Sequence, residues 1–389
     1  MRITLDRALF DVQSEAEAMA LLDLLSTAVR DIHDHALLTN PLYLPGDKNG
    51  EVDIWLSQRS SFEANAFRAL LIKGILIAAG PRSGAASDLA QPRSWHLPGS
   101  LEIRVERRTD SDWRSRVLTL ADAVDLLREP VHLVLENTRT EPAFMRHLAG
   151  PTNGATLRTL MTQPGRIATY GGGGGEAKKW IEALTTGAPT PVKWRRMLRT
   201  WILFDQDAGD PDARMPSNPA VELMNACEKV VSDFGAGLSW ICLRRRELES
   251  YVPDSGLLAQ KADKKPFVDQ VIAWRNDPAW ASWAWALDLK KGLLGDRHPR
   301  WSVGLSDADI AAVNQRKKPL EAHMLKSPFS GLSMPEIGVL TSGLGDALGE
   351  ALRAANDPPW TSYLPAEYDR GPVDQVPRDL FVQSLFDRM

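Results

Sequence analysis

The chain has 389 residues, 43% of them hydrophobic and 25% charged, with a net charge of −4; this is an ordinary globular composition, with room for two or three domains of roughly 100–200 residues each. The charge balance excludes a global basic field, so any contact with nucleic acid must come from local patches. Two cysteines, Cys227 and Cys242, exclude a disulfide framework and a zinc knuckle or ribbon, which makes a reducing cytoplasm the natural compartment.

Residues Met1 to Asp6 carry early charges and no apolar h-region, so no signal peptide is expected. The longest apolar stretch, Ala69 to Ala79, is interrupted by Lys73 and Gly74 and is too short to span a bilayer. No membrane contact is expected. Ser14 to Arg30 reads as an amphipathic helix: Ser14 and Glu17 form a capping box, and Leu21, Leu22, Leu25, Ala28 and Val29 make one apolar stripe. Phe62 to Ala79 reads as a second helix, apolar enough to be buried. A Ser/Gly/Pro-rich loop follows from Pro81 to Pro98. Leu101, Ile103 and Val105 alternate with Glu102, Arg104 and Glu106, the pattern of a half-exposed strand. Thr119 is placed to cap a helix through Leu127, and Pro130 stops it.

From 131 to 251 strands and helices alternate. The strands are expected at 131–136, 166–170, 201–205 and 238–243, and the helices at 141–149, 177–186 and 219–232. That alternation predicts a parallel sheet with flanking helices. Further helices are expected near 267–275, 279–291, 306–314 and 344–354. Four of the 13 tryptophans fall between Trp274 and Trp285, which predicts dense aromatic packing. The expected division is an N-terminal α+β domain over 1–127, an α/β core over 128–255 and a helical, Trp-rich region over 256–389.

Three acidic segments carry the chemistry. Val131-His132-Leu133-Val134-Leu135 ends in Glu136, and Trp201-Ile202-Leu203-Phe204 ends in Asp205-Gln206-Asp207. Strands of a doubly covered parallel sheet read as continuous apolar runs, and their ligands lie at the carboxyl ends. Asp205 and Asp207 would leave an extended segment on the same side. With Glu136 they would gather oxygen ligands for Mg2+. Glu141 either faces the same crevice or only complements the positive end of its helix. The third segment, Arg244-Arg245-Arg246-Glu247-Leu248-Glu249-Ser250-Tyr251, follows the fourth strand. Its arginines would clamp a phosphate backbone or begin a solvated helix, and Glu249 would complete the cluster. The run Gly171 to Gly175 offers backbone amides to a phosphate or forms a turn. It is not a Walker A loop, because Glu176-Ala177-Lys178-Lys179 follow. In Lys290-Lys291-Gly292, a lysine would stabilise a scissile phosphate or answer a helix dipole. His132, His147, His298 and His323 lack zinc-ligand spacing, and no G-x-S-x-G elbow occurs.

In order, a Glu after the first strand, a glycine turn after the second and D-x-D after the third resemble a TOPRIM domain. Residues 245–251 are similar to the R-E-x-E-N-Y stretch of OLD-like TOPRIM nucleases of bacterial antiphage defence systems. Those nucleases often carry a later Lys-Gly, and Lys291-Gly292 fits that place. The resemblance covers residues 128–295. Here Asn137 follows the first Glu in place of Gly, the next acid lies five residues on at Glu141, and Ser250 replaces Asn.

The resemblance implies a TOPRIM-like parallel sheet and an endonuclease dependent on one or two Mg2+ or Mn2+ ions, with DNA favoured over RNA. Glu136, Asp205, Asp207 and Glu249 would bind metal, with Glu141 and Glu247 as further members of the cluster. Lys291 would stabilise charge on the phosphate. Arg245, Arg246, Gly172 and Gly173 would hold the nucleic acid. A partner protein such as an ATPase or sensor subunit is implied, and a homo-oligomer is compatible. The alternative is a non-catalytic TOPRIM-fold subunit that binds nucleic acid or protein as a scaffold. Topoisomerase or primase chemistry ranks below both: none of the five tyrosines has a helix-turn-helix context, and two cysteines cannot supply a zinc module.

Overall fold

A computed structural model describes residues 1–11, 14–29, 35–40, 43, 50–79, 95–207, 216–235, 237–259, 262–290, 292, 339–340, 343–345, 348, 368 and 375–389. The N-terminal part begins with β1 (Arg2–Asp6), α1 (Glu15–Val29), β2 (Ala36–Asn40), α2 (Glu51–Ser57) and α3 (Ser61–Ala78). It continues with β3 (Trp95–His96), β4 (Glu102–Val105), β5 (Val117–Leu118) and α4 (Leu120–Arg128). Ser14 caps α1 as its sequence predicts: its hydroxyl accepts from the Glu17 amide, and the Glu17 carboxylate accepts from the Ser14 amide. The Thr119 hydroxyl accepts from the Asp122 amide and starts α4.

The first sheet has the order β2-β1-β4-β5, and every pairing in it is parallel. This part is therefore α/β, where a segregated α+β arrangement is expected. Parallel neighbours need crossover connections, and α1 makes one between β1 and β2. The second helix, α3, is less buried than its composition suggests. Phe67, Leu71 and Gly74 face the core, while Phe62 is 82% exposed and Leu76 points outward.

The central region runs β6 (Val131–Leu135), α5 (Glu141–Thr162), β7 (Ile167–Gly171), α6 (Gly174–Thr185), α7 (Pro191–Leu198), β8 (Thr200–Phe204), α8 (Asn218–Phe234) and β9 (Ser239–Cys242). A 3-10 turn at Leu248–Tyr251 leads to α9 (Asp254–Leu258), α10 (Lys265–Asn276) and α11 (Ala281–Ala286). The last element is α12 (Arg378–Phe386). The helix expected to end at residue 149 does break there, since Gly150 has φ 80°, but Pro151 begins a second helical segment that runs to Thr162. The helix expected over 279–291 stops at Ala286, and Leu287 turns extended. The helix expected at 306–314 lies outside the described residues, as does most of 344–354.

The second sheet has the order β3-β9-β8-β6-β7. β6, β7, β8 and β9 are parallel, and β3 joins antiparallel at the edge. Every residue of β6, β8 and β9 is buried, because helices cover both faces. Leu133, Leu135, Trp201, Leu203 and Ile241 face one core with Phe144 of α5 and Phe381 of α12. Val134, Ile202, Phe204 and Trp240 face a second core, which continues through α6 and α8 to Ile3, Leu5 and Leu25. The N-terminal part thus shares a core with the central sheet and contributes β3 to it, so the boundary expected at 127/128 is not a break in packing. Among the described residues, no helix is long and apolar enough to cross a membrane.

Candidate metal centre

β7 and β8 flank β6 on opposite sides. The connections after β6 and β8 therefore diverge, and a crevice opens at the carboxyl ends of these two strands. Glu136 leaves the end of β6 and Asp205 the end of β8. Glu136 Oε2 accepts the Asp205 amide at 3.0 Å, which ties the two strand ends together. Asn137 then makes an Asx turn: its Oδ1 accepts the amides of Arg139 at 2.9 Å and Thr140 at 3.3 Å. This turn starts α5 at once, so the five-residue spacing brings Glu141 back to the crevice.

Glu136, Glu141 and Asp205 each offer a carboxylate oxygen, and the three atoms all lie within 4.8 Å of one another. Oxygens on one octahedral Mg2+ stand roughly 3–4 Å apart, given bonds of about 2.1 Å, so a small closure would complete a ligand set. Two oxygens in the group, Glu141 Oε2 and Asp205 Oδ1, are buried with no hydrogen-bond partner. A buried acceptor without a donor is costly, and a hard cation would satisfy both. Burial holds the Glu141 carboxyl well above the usual carboxylate range, and the charges of Glu136 and Glu249 push the same way, against backbone hydrogen bonds at Asn137 and Glu136. Burial also raises Asp205, followed by the charges of Glu136, Glu141, Glu249 and Asp207. Such crowding of like charges is what a bound cation reverses.

Asp207 does not join the three. The chain leaves the extended conformation there, with φ 53°, and the Asp207 amide donates to the Arg246 carbonyl at 3.0 Å. The same-side geometry of an extended D-x-D is lost, and Asp207 sits exposed at the rim, acting on Asp205 through its charge.

Glu249 is buried on the 3-10 turn, adjacent to the three carboxylates electrostatically and outside their group. Lys290 reaches it: Nζ lies 2.9 Å from Glu249 Oε1 and 3.4 Å from Glu247 Oε2. Burial opposes the charge on Lys290, but Glu247, Glu249 and Asp205 outweigh it and raise its pKa. Glu247 Oε1 accepts the Leu289 amide at 3.0 Å. One ammonium cannot neutralise two carboxylates. Glu249 is nearer, and Glu247 is pushed up to about 8 by burial and by Asp288, with Lys290 opposing. Sequence reasoning named the Lys290–Lys291 pair and chose Lys291, which lies outside the described residues; the lysine seen beside the carboxylates is Lys290.

Arg245 differs from its expected role. Arg245 is 0% exposed. Its guanidinium stacks 3.8 Å from the Trp285 ring centroid and 4.4 Å from that of Tyr251, and it donates to the Ser250 carbonyl at 2.8 Å. Arg275 donates to the same carbonyl at 3.0 Å. The Tyr251 hydroxyl accepts the amides of Arg244 and Arg245, each at 3.1 Å. This knot holds the turn that presents Glu249. A guanidinium enclosed by rings cannot grip a polymer backbone, so Arg245 is a structural cation. Arg246 is mostly buried and lies 3.7 Å from Asp288.

The glycine run also has a packing task. A Cβ on Gly171 would stand 2.5 Å from the Leu135 carbonyl oxygen, so β7 could not pair so closely with β6. Gly173, at φ 97°, donates its amide to the Glu136 carbonyl at 2.9 Å. That amide anchors the Glu136 backbone and is not available to a phosphate; a Cβ on Gly172 would meet Glu176 Cγ.

No protein-family model, curated protein or solved structure matches this chain.

Proposed function

We propose that the chain is a Mg2+- or Mn2+-dependent nuclease of the TOPRIM, OLD-like type, acting on DNA. The observation that carries this reading is the meeting of Glu136, Glu141 and Asp205 at the switch point of the sheet, with two buried carboxylate oxygens lacking a partner. These residues would hold the ion, with Asp207 at the rim. When bound, the ion supplies Lewis acidity to a phosphodiester and lowers the pKa of a neighbouring water. Without it, the crowded carboxylates would repel a polyanion.

The chain's own residues do the rest. Glu136 links the two strand ends. The Asn137 turn aims Glu141, and the Arg245–Tyr251–Arg275 knot fixes Glu249. Lys290 keeps its charge beside them. In this reading a partner protein, such as an ATPase or sensor subunit, controls access to the centre.

The test is cleavage of plasmid DNA and of RNA with Mn2+ or Mg2+, beside a Glu136→Ala/Asp205→Ala double variant. Metal-dependent DNA cleavage that disappears in the variant is the expected result. Cleavage that persists in the variant would remove the catalytic assignment. With no cleavage of either polymer, metal binding would favour a nuclease held inactive until its partner releases it, and no metal binding would favour the scaffold reading.

A further inference from the structure

Two carboxylate groups meet in this crevice, and they are compensated differently. In the first, formed by Glu136, Glu141 and Asp205, Glu141 Oε2 and Asp205 Oδ1 are buried without a donor. In the second, formed by Glu247 and Glu249, a cation of the chain itself is in place. Lys290 Nζ stands 2.9 Å from Glu249 and 3.4 Å from Glu247, and Glu247 Oε1 already accepts the Leu289 amide. A carboxylate–ammonium contact at 2.9 Å is a charge-assisted hydrogen bond.

Lys290 is not a loose surface side chain. The Lys290 amide donates to Asp288 Oδ1 at 3.0 Å, and its carbonyl accepts the Gly345 amide at 2.9 Å. The Leu289 carbonyl accepts the Leu344 amide at 2.7 Å. Gly343 packs so tightly on the Lys290 backbone that a Cβ there would overlap it. The ammonium is therefore delivered by a backbone fastened on both sides.

From this we infer that Lys290 takes the place of a second metal ion: the centre binds one divalent cation, at Glu136, Glu141 and Asp205, and the Lys290 ammonium, paired with Glu249, occupies the Glu247–Glu249 half. The inference rests on the metal-centre reading and goes beyond it, because two carboxylate groups in one crevice would otherwise suggest a pair of ions.

The experiment is a Mn2+ titration of the full chain by calorimetry, with spin counting of bound Mn2+ by electron paramagnetic resonance. Wild type and the Lys290→Arg variant should each bind one ion per chain, and Lys290→Ala should bind a second. Glu249→Gln should keep the single ion of wild type, and Glu141→Gln should weaken it at least tenfold. Circular dichroism verifies that each variant is folded. Two ions on wild type, or no additional ion on folded Lys290→Ala, would overturn the inference. Should Lys290→Ala fail to fold, the wild-type count and the Glu249→Gln titration still decide; loss of the single ion in Glu249→Gln overturns it.

Plasmid cleavage on the same samples separates the two readings. One bound ion without cleavage retires a nuclease active on its own and leaves Lys290 as inferred. Metal-dependent cleavage with two bound ions does the reverse. No bound Mn2+ at all overturns both.

Discussion

The fates of Arg245 and Glu141 show how far environment decides the meaning of a charged residue. Arg245 sits in a run of three arginines, the sequence pattern of a phosphate clamp, and ends wholly enclosed between Trp285 and Tyr251. Its loss would take one of two donors from the Ser250 carbonyl and leave the rings unfilled, and a hydrogen bond from a charged group contributes about 1.5–3 kcal/mol. Arg245→Leu should lower the urea midpoint accordingly. Arg245→Lys should also destabilise, because an ammonium cannot stack and donate as a guanidinium does. The salt dependence of DNA binding by folded Arg245→Leu should match wild type; a shallower slope would restore the clamp role, since each lost phosphate contact reduces it. Glu141 goes the other way. Its position allows either a helix-dipole acid or a member of the cluster, and it is buried at 1% exposure with one oxygen unpartnered. Glu141→Gln should raise the melting temperature of metal-free protein while weakening Mn2+ binding.

At the scale of elements, the centre depends on how closely the loop after β7 lies against the end of β6. Gly173 makes that approach with a backbone at φ 97°, a conformation that costs a side-chain-bearing residue about 1–3 kcal/mol. Gly173→Ala should therefore lower unfolding free energy by that order and weaken Mn2+ binding through displacement of Glu136; urea unfolding and calorimetry measure the two effects. Unchanged Mn2+ affinity would show that the loop does not position Glu136. The strands β6 and β8 and the helix after each were legible in the sequence, because apolar runs and caps are local signals. The short strands β1, β2, β3 and β5 were not read individually. Strands of two residues, such as Trp95–His96, have no period to read and exist only because a partner strand lies beside them.

At the scale of the whole molecule, the shared core and the buried carboxyls lead to two expectations. The apolar face formed by Ile202, Phe204 and Trp240 is continuous with the N-terminal core, and β3 completes the central sheet. Residues 1–259 should therefore unfold with the rest of the chain in one cooperative transition; two resolved transitions in calorimetry would show separable domains. The pH dependence has a definite sign. Glu141, Asp205 and Glu247 have folded pKa values above their unfolded ones. The folded state then holds more protons, so stability is greatest below the ordinary carboxylate range and falls as pH rises through the folded values. For Glu247 that window runs from its ordinary 4.5 to about 8. Metal-free protein should lose melting temperature across this window, and Mn2+ should both raise the melting temperature at pH 8 and flatten the slope. A flat profile without metal would contradict the burial of these groups.

The sequence by itself determined the α/β alternation, the helix caps and the carboxylates at the ends of β6 and β8. Apolar runs, capping boxes and strand-ending acids are local patterns, and local patterns survive in one dimension. Only the tertiary structure decided which acids meet. Strand order placed Glu136 beside Asp205, an Asx turn at Asn137 brought in Glu141, and a left-handed residue sent Asp207 to the rim. It also set Lys290 against Glu249 across 41 residues of chain and enclosed Arg245 in aromatic rings. These outcomes depend on register, burial and long-range contact: strand-ending acids let a linear reading expect Glu136 with Asp205, but no period or spacing separates Glu141 from Asp207 or encloses Arg245.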